Sequence, residues 1–172
     1  MVSAAAGAPL IATALPLPAP VAEAATSSPR MSGFDVRLVR DINTARASRG
    51  LRRLALVAGT TDVAHRWSCH MALYRTMTHN PYLVRDLTRH GSTDLTAYGE
   101  NIAWQSGSYG ADHMFRSYMR SPVHRANILN RSFRYVGVWT RQSSGLRWNT
   151  TDFVGAPVSS YRYSYGGMRV AC

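Results

Sequence analysis

The chain has 172 residues, 45% of them hydrophobic, which suits one globular domain with its own core and gives no reason to divide it. Its formal net charge is +11, and all 20 of its Lys-plus-Arg cations are arginine. Such a surplus attracts polyanions, but the arginines run from Arg30 to Arg169 without a dense cluster, so a nucleic-acid-binding arm is not expected. A solvated basic surface facing lipid headgroups or an anionic cell-envelope polymer is the expectation instead.

Residues 1–25 are rich in Ala, Pro, Leu and Val, with Glu23 their only charge. Leu10 to Val21 is too short and too broken by proline for a membrane helix. It matches the apolar region of a secretory signal, with small residues for cleavage near Ala22-Glu23-Ala24. Met1-Val2-Ser3 lacks the basic residues that open such signals, which leaves a disordered Ala/Pro leader as the other reading. Residues 26–33 read as a flexible lead-in to a domain over 34–172, expected to be secreted and monomeric. In an exported protein the even pair Cys69 and Cys172 predicts a disulfide closing a loop of roughly a hundred residues. Two free thiols of a cytosolic protein are the alternative.

Along the chain, Val36, Leu38, Val39, Ile42 and Ala45 predict a helix from Phe34 to Ser48, stopped by Gly50. Leu51, Leu54 and Leu56 lead to a turn at Gly59. Thr60 or Thr61 then caps a second helix whose stripe is Ala64, Trp67, Met71 and Tyr74, ending near Met77 with Cys69 off the stripe. A short helix is expected from Tyr82 to Leu87, an extended segment from Gly99 to Gln105, and a third long helix from Ala111 to Arg120. Ser121 as cap and Pro122 at the first position start a further short helix, whose dipole disfavours protonation of His124. Tyr135–Thr140 and Leu146–Val154 flank a turn at Gln142–Gly145 and predict a hairpin, with a last edge strand from Tyr161 to Tyr165 and Met168 to Cys172. Helices first and antiparallel strands last make the class α+β.

Three segments carry chemistry: Met77–Leu83 with His79, Gly99–Trp104 with Glu100, and Ser121–Leu129 with His124. Two imidazoles and a carboxylate can hold Zn²⁺ with a position open for water. Their spacing is not that of a local zinc motif, so the sequence does not show that they converge. The plainer roles are a carboxylate accepting backbone N–H groups at Glu100, a helix brace at His124 and a turn residue at His79. Ser121 beside His124 is better explained as a cap than as a nucleophile. His65, His70, His90 and His113 receive no role.

From about Val36 to Cys172 the chain resembles the CAP superfamily of cysteine-rich secretory proteins, antigen 5 and pathogenesis-related class-1 proteins, most of all its bacterial SCP-like branch. The resemblance rests on Leu38–Arg46, the His79 segment, Gly99-Glu100-Asn101-Ile102-Ala103, and the run from Tyr118 through Ser121, His124-Arg125 and Asn127–Leu129 to Val136-Gly137-Val138, with Asp152-Phe153-Val154 like the family's late strand. It implies a three-layer α-β-α sandwich around a central antiparallel sheet. It also implies a cleft of two histidines and two glutamates, of which His79 and Glu100 match one of each. Ser121 stands at the second glutamate's position and Phe133 at the second histidine's, so a reduced cleft of His79, Glu100, Asn101, Ser121 and His124 is expected. The resemblance implies extracellular binding of lipid, and the basic net charge adds an anionic envelope polymer as a candidate ligand. The alternative is a zinc-dependent hydrolase of peptide or cell-wall substrates, with His79 and His124 on the metal and Glu100 catalytic.

Overall fold

The computed structural model describes residues 31–90 and 94–156. In chain order they form α1 (Gly33–Ala47), β1 (Ala55–Leu56), α2 (Ala58–Tyr74), α3 (Leu83–Arg89), β2 (Ala97–Ser106), α4 (Ala111–Arg120), α5 (Pro122–Leu129), β3 (Tyr135–Ser143) and β4 (Leu146–Gly155). The sheet order is β1-β3-β4-β2. β2, β4 and β3 are antiparallel neighbours, while β1 runs parallel to β3. The sheet is therefore mixed, where a wholly antiparallel one was expected. The cause is local: the N–H groups of Ala55 and Val57 bond to the carbonyls of Arg134 and Val136, and α2 starts at once at Ala58.

Strand alternation sends Val136, Val138 and Phe153 to one face of the sheet and Tyr135 and Val154 to the other. On the first face Leu38 and Ile42 of α1, Met114 and Tyr118 of α4 and Ile128 of α5 close around Phe133. On the second, Val63 of α2 and Leu83 and Leu87 of α3 cover Tyr135 and Val154. Farther along α2, Met71 and Ala72 pack on Ile102 and Trp148. Helices thus lie on both faces, and the expected α+β, three-layer arrangement holds.

α2 differs from its sequence reading in start, stripe and end. Gly59 lies inside its first turn rather than in a preceding turn, and serves close approach there: a Cβ would stand 1.8 Å from the His90 carbonyl oxygen. Thr60 and Thr61 are buried helix residues, not caps, and the Thr61 hydroxyl donates back to the Val57 carbonyl at 2.9 Å. The buried stripe runs through Ala64, Ser68, Met71 and Ala72. Trp67 only borders it, and Tyr74 is exposed. The helix ends at Tyr74 because Arg75 adopts a left-handed backbone. The hairpin turns through Ser144 and Gly145, both with positive φ, the two-residue geometry that matches strand twist. The proposed strand beyond Tyr161, Cys172 and the leader lie outside the described residues.

Close contact between α2 and β3 depends on Gly137, where a Cβ would come within 2.2 Å of the Thr60 carbonyl carbon. Gly137→Ala is expected to cost about 1–3 kcal/mol, the usual range for overpacking. Urea unfolding measures it, with Gly33→Ala, which meets no atom within 4 Å, as the near-neutral control. Among the described residues no helix is long and apolar enough to cross a membrane.

Candidate functional site

β2 lies at the edge of the sheet, and its register sets Glu100 opposite Asp152 of β4. Alternation puts both side chains, with Ile102, on the face that α2 covers. After α2 the chain returns along this edge, pinned where the Trp67 indole N–H donates to the Thr78 carbonyl at 2.7 Å. That return brings His79 Nδ1 to 2.7 Å from Glu100 Oε1, and the Asn80 N–H donates to the same oxygen at 3.0 Å. Asn80 is itself held, its amide donating to Asp86 at 3.2 Å and its side-chain carbonyl oxygen accepting from the Tyr82 N–H.

The His79 side chain is 63% exposed and the Glu100 side chain 3%. An imidazole thus stands in solvent on a buried acid. Burial raises the Glu100 carboxyl above the usual carboxylate range, partly offset by the Asn80 N–H and by His79. Asp152 is fully buried, and neither of its oxygens has a hydrogen-bond partner; Glu100 Oε2 has none either. Burial first, then the charges of Glu100 and Asp86, push Asp152 well up. Two acids facing each other across adjacent strands resist ionising together, so this pair favours keeping a proton.

Asn101, next along β2, takes the opposite face. Its amide donates to the His124 carbonyl at 3.0 Å, while the Asn127 amide reaches both Asn101 Oδ1 and the Glu100 carbonyl. These bonds fasten α5 to the back of the strand that holds Glu100. The His124 ring meets Tyr118 edge-on, with centroids 5.1 Å apart. Its protonation is disfavoured, the direction expected, but burial is the main cause and the charge of His79 the second. Ser121 occupies the cap position of α5, yet its hydroxyl makes no cap hydrogen bond. Phe133 is in the core, stacked on Phe153.

Of the expected cleft residues, then, the structure joins His79 directly to Glu100. It sets Asn101 behind the strand and gives His124 only electrostatic reach to His79. Among the described residues no three His, Cys, Asp or Glu side chains are grouped so as to hold a metal ion. Glu100 engages His79 Nδ1, which leaves Nε2 as the open nitrogen of that ring. This donor set does not fit a three-ligand zinc centre, and no chemistry is routed through one. What the arrangement supplies is an imidazole whose orientation a buried carboxylate fixes, leaving Nε2 to meet a ligand. Sequence reading passed over Asp152; its signal was an acid inside the strand-like run Thr150-Thr151-Asp152-Phe153-Val154.

A model of the CAP, cysteine-rich secretory protein family matches residues 39–154. The fold is similar to that of an outer surface protein of Borrelia burgdorferi, with 15% identity and a TM-score of 0.63 over 71% of this chain and 92% of that one. It is similar to an extracellular SCP-domain protein of Bacillus anthracis, with 26% identity and a TM-score of 0.61 over 71% of this chain. It is also similar to a cysteine-rich secretory protein of Staphylococcus aureus, with 17% identity and a TM-score of 0.56 over 70% of this chain. The chain covers 40% and 38% of those last two proteins, so each is far longer than the part shared. No curated protein sequence matches it.

Proposed function

The chain belongs to the CAP family of cysteine-rich secretory proteins, and on that premise we propose that it acts outside the cell by binding an anionic envelope polymer. The observation that carries the reading is the exposed His79 imidazole seated on buried Glu100, set in a chain whose net charge is +11. An imidazolium donates through both ring nitrogens, so His79 can hold Glu100 through Nδ1–H and a phosphate or carboxylate oxygen through Nε2–H, and the arginines supply the longer-range attraction. Lipid is the competing ligand. Zinc-dependent hydrolysis has no grouped donor set behind it among the described residues.

The test is cosedimentation with immobilised poly(glycerol phosphate), neutral dextran and vesicles rich in an anionic phospholipid. Capture by the polyanion alone, weakening as salt rises, is the expected result. Capture by vesicles alone transfers the function to lipid, and no capture at physiological salt refutes the reading.

Export also bears on the cysteines. Cys69 is buried in α2, and among the described residues no cysteine is free. Its partner is proposed to be Cys172, the other cysteine of the sequence. Thiol titration of the denatured, unreduced protein should then find no thiol, whereas two thiols per chain would remove this support for export.

A further inference from the structure

Four residues along β2 from Glu100, or about 13 Å at strand rise, lies a hollow of about 370 Å³. Ala72, Arg75, Met77, Trp104, Leu146 and Trp148 form most of its wall. Trp104 and Trp148 are register partners on the face that carries Glu100 and Asp152. Their rings stand 6.3 Å apart at 38°, and Trp104 is 52% exposed. Half of the Trp104 indole is thus presented to solvent beside the hollow, an apolar face with a polar N–H edge.

The hollow also has a polar part, made by Ser143, Ser144 and Arg75. Among the described residues Arg75 and Ser144 are the two non-glycine residues with left-handed backbone, at φ 51° and 50°. They are joined at the hollow, Arg75 Nη2 donating to Ser144 Oγ at 3.0 Å. The end of one helix and one hairpin turn therefore meet at the hollow, with the guanidinium bonded between them. Among the described residues that line the hollow, Arg75 is the one with a charge, and no acid offsets it there.

We propose that this hollow binds an acidic sugar unit of a polyanionic glycan, which deepens the envelope-polymer reading and rests on it. A pyranose ring has an apolar C–H face and a hydroxyl-bearing edge, which suits a wall that combines indoles with serine hydroxyls. The planar guanidinium takes a carboxylate through paired N–H donors. An acyl chain would cover the indoles but make no use of the serine hydroxyls or of the charge on Arg75.

The test is calorimetric titration of the full chain with a galacturonic acid hexamer, a neutral glucose hexamer and palmitate. The galacturonate is expected to bind best. Trp104→Ala and Arg75→Gln should each weaken it about tenfold or more, as a central anchor does. Arg75→Lys should recover part of that loss, and Arg131→Gln, on the exposed surface, should change nothing. Equal losses from Arg75→Gln and Arg131→Gln would mean diffuse attraction and overturn the site. So would palmitate binding more tightly than the hexamer. Loss on Glu100→Gln with Trp104→Ala unaffected would place the glycan at His79, sparing the envelope-polymer reading and ending this one. If galacturonate fails while poly(glycerol phosphate) is still captured, only the sugar assignment falls; if neither binds, both readings fall.

Discussion

Arg46→Ala is expected to cost about 3–5 kcal/mol of folding stability, the sum of several buried carbonyls losing their donor after partial relaxation. Arg46 is 0% exposed near the end of α1. Its guanidinium donates to four carbonyls: Arg52 at 2.8 Å, Ile128 at 2.7 Å, Asn130 at 2.9 Å and Phe133 at 3.3 Å. Burial lowers its pKa, yet it has four neutral acceptors aimed at it in place of water. One side chain thereby ties α1 to the end of α5 and the entry to β3. Alanine would orphan those carbonyls, and buried unsatisfied polar groups cost about 1–3 kcal/mol each before relaxation. Arg46→Lys keeps the charge but cannot fan out to four acceptors, so it should recover only part of the loss. Urea unfolding of both variants decides it: a change below about 1 kcal/mol for Arg46→Ala would mean that water replaces the guanidinium at little cost.

That anchor shows where local reading runs out. Leu38, Ile42 and Arg46 recur every fourth residue, so Arg46 falls on the buried stripe of its own helix. Periodicity located α1 within a residue or so and α4 to its ends, because each has one clear apolar face and usable stop signals. It misplaced the start of α2, because Gly59 and Gly137 serve close approach rather than a turn, a fact set by elements far apart in sequence. Likewise β1 became a strand through its pairing with β3, not through two residues of propensity. At the site, His79 and Glu100 were legible from residue chemistry, while their convergence and Asn101 came from the family resemblance; the structure sets His79 and Glu100 in contact. The burial of Asp152 against Glu100 and the grip of Asn101 on α5 were hidden for one reason. Both follow from the pairing of β2 with β4 and the alternation along β2, which no local pattern encodes. The Trp104–Trp148 pair arises from the same register, four residues farther on.

The opposed carboxyls give the second large effect: Asp152→Asn should stabilise the protein at neutral pH, on the order of 1–3 kcal/mol, the scale of relieving one buried unsatisfied group. The sign follows from linkage. Burial raises the folded-state pKa of both Asp152 and Glu100 above the unfolded carboxylate value. The stability each contributes is therefore fully present below about pH 4, where the unfolded carboxyls titrate, and is lost as pH rises through the folded pKa. Wild-type stability should thus decline from mildly acidic pH toward neutrality on account of this pair. Asparagine has nearly the same shape, carries no charge, and brings an N–H₂ donor to a strand register where Glu100 Oε2 has no partner. Its advantage should vanish near pH 4, where wild-type Asp152 is neutral in the folded state and at little cost in the unfolded one. Glu100→Gln is not equivalent, because Glu100 Oε1 accepts from both Asn80 and His79, and weakening those bonds loosens the loop that presents the imidazole. The decisive measurement is unfolding free energy from about pH 3.5 to 8 for wild type and Asp152→Asn. A gain that is constant across the range would show that Asp152 does not titrate with folding. A loss at neutral pH would show that its charge is satisfied by a partner, and the picture of two acids sharing one proton beneath His79 would fall.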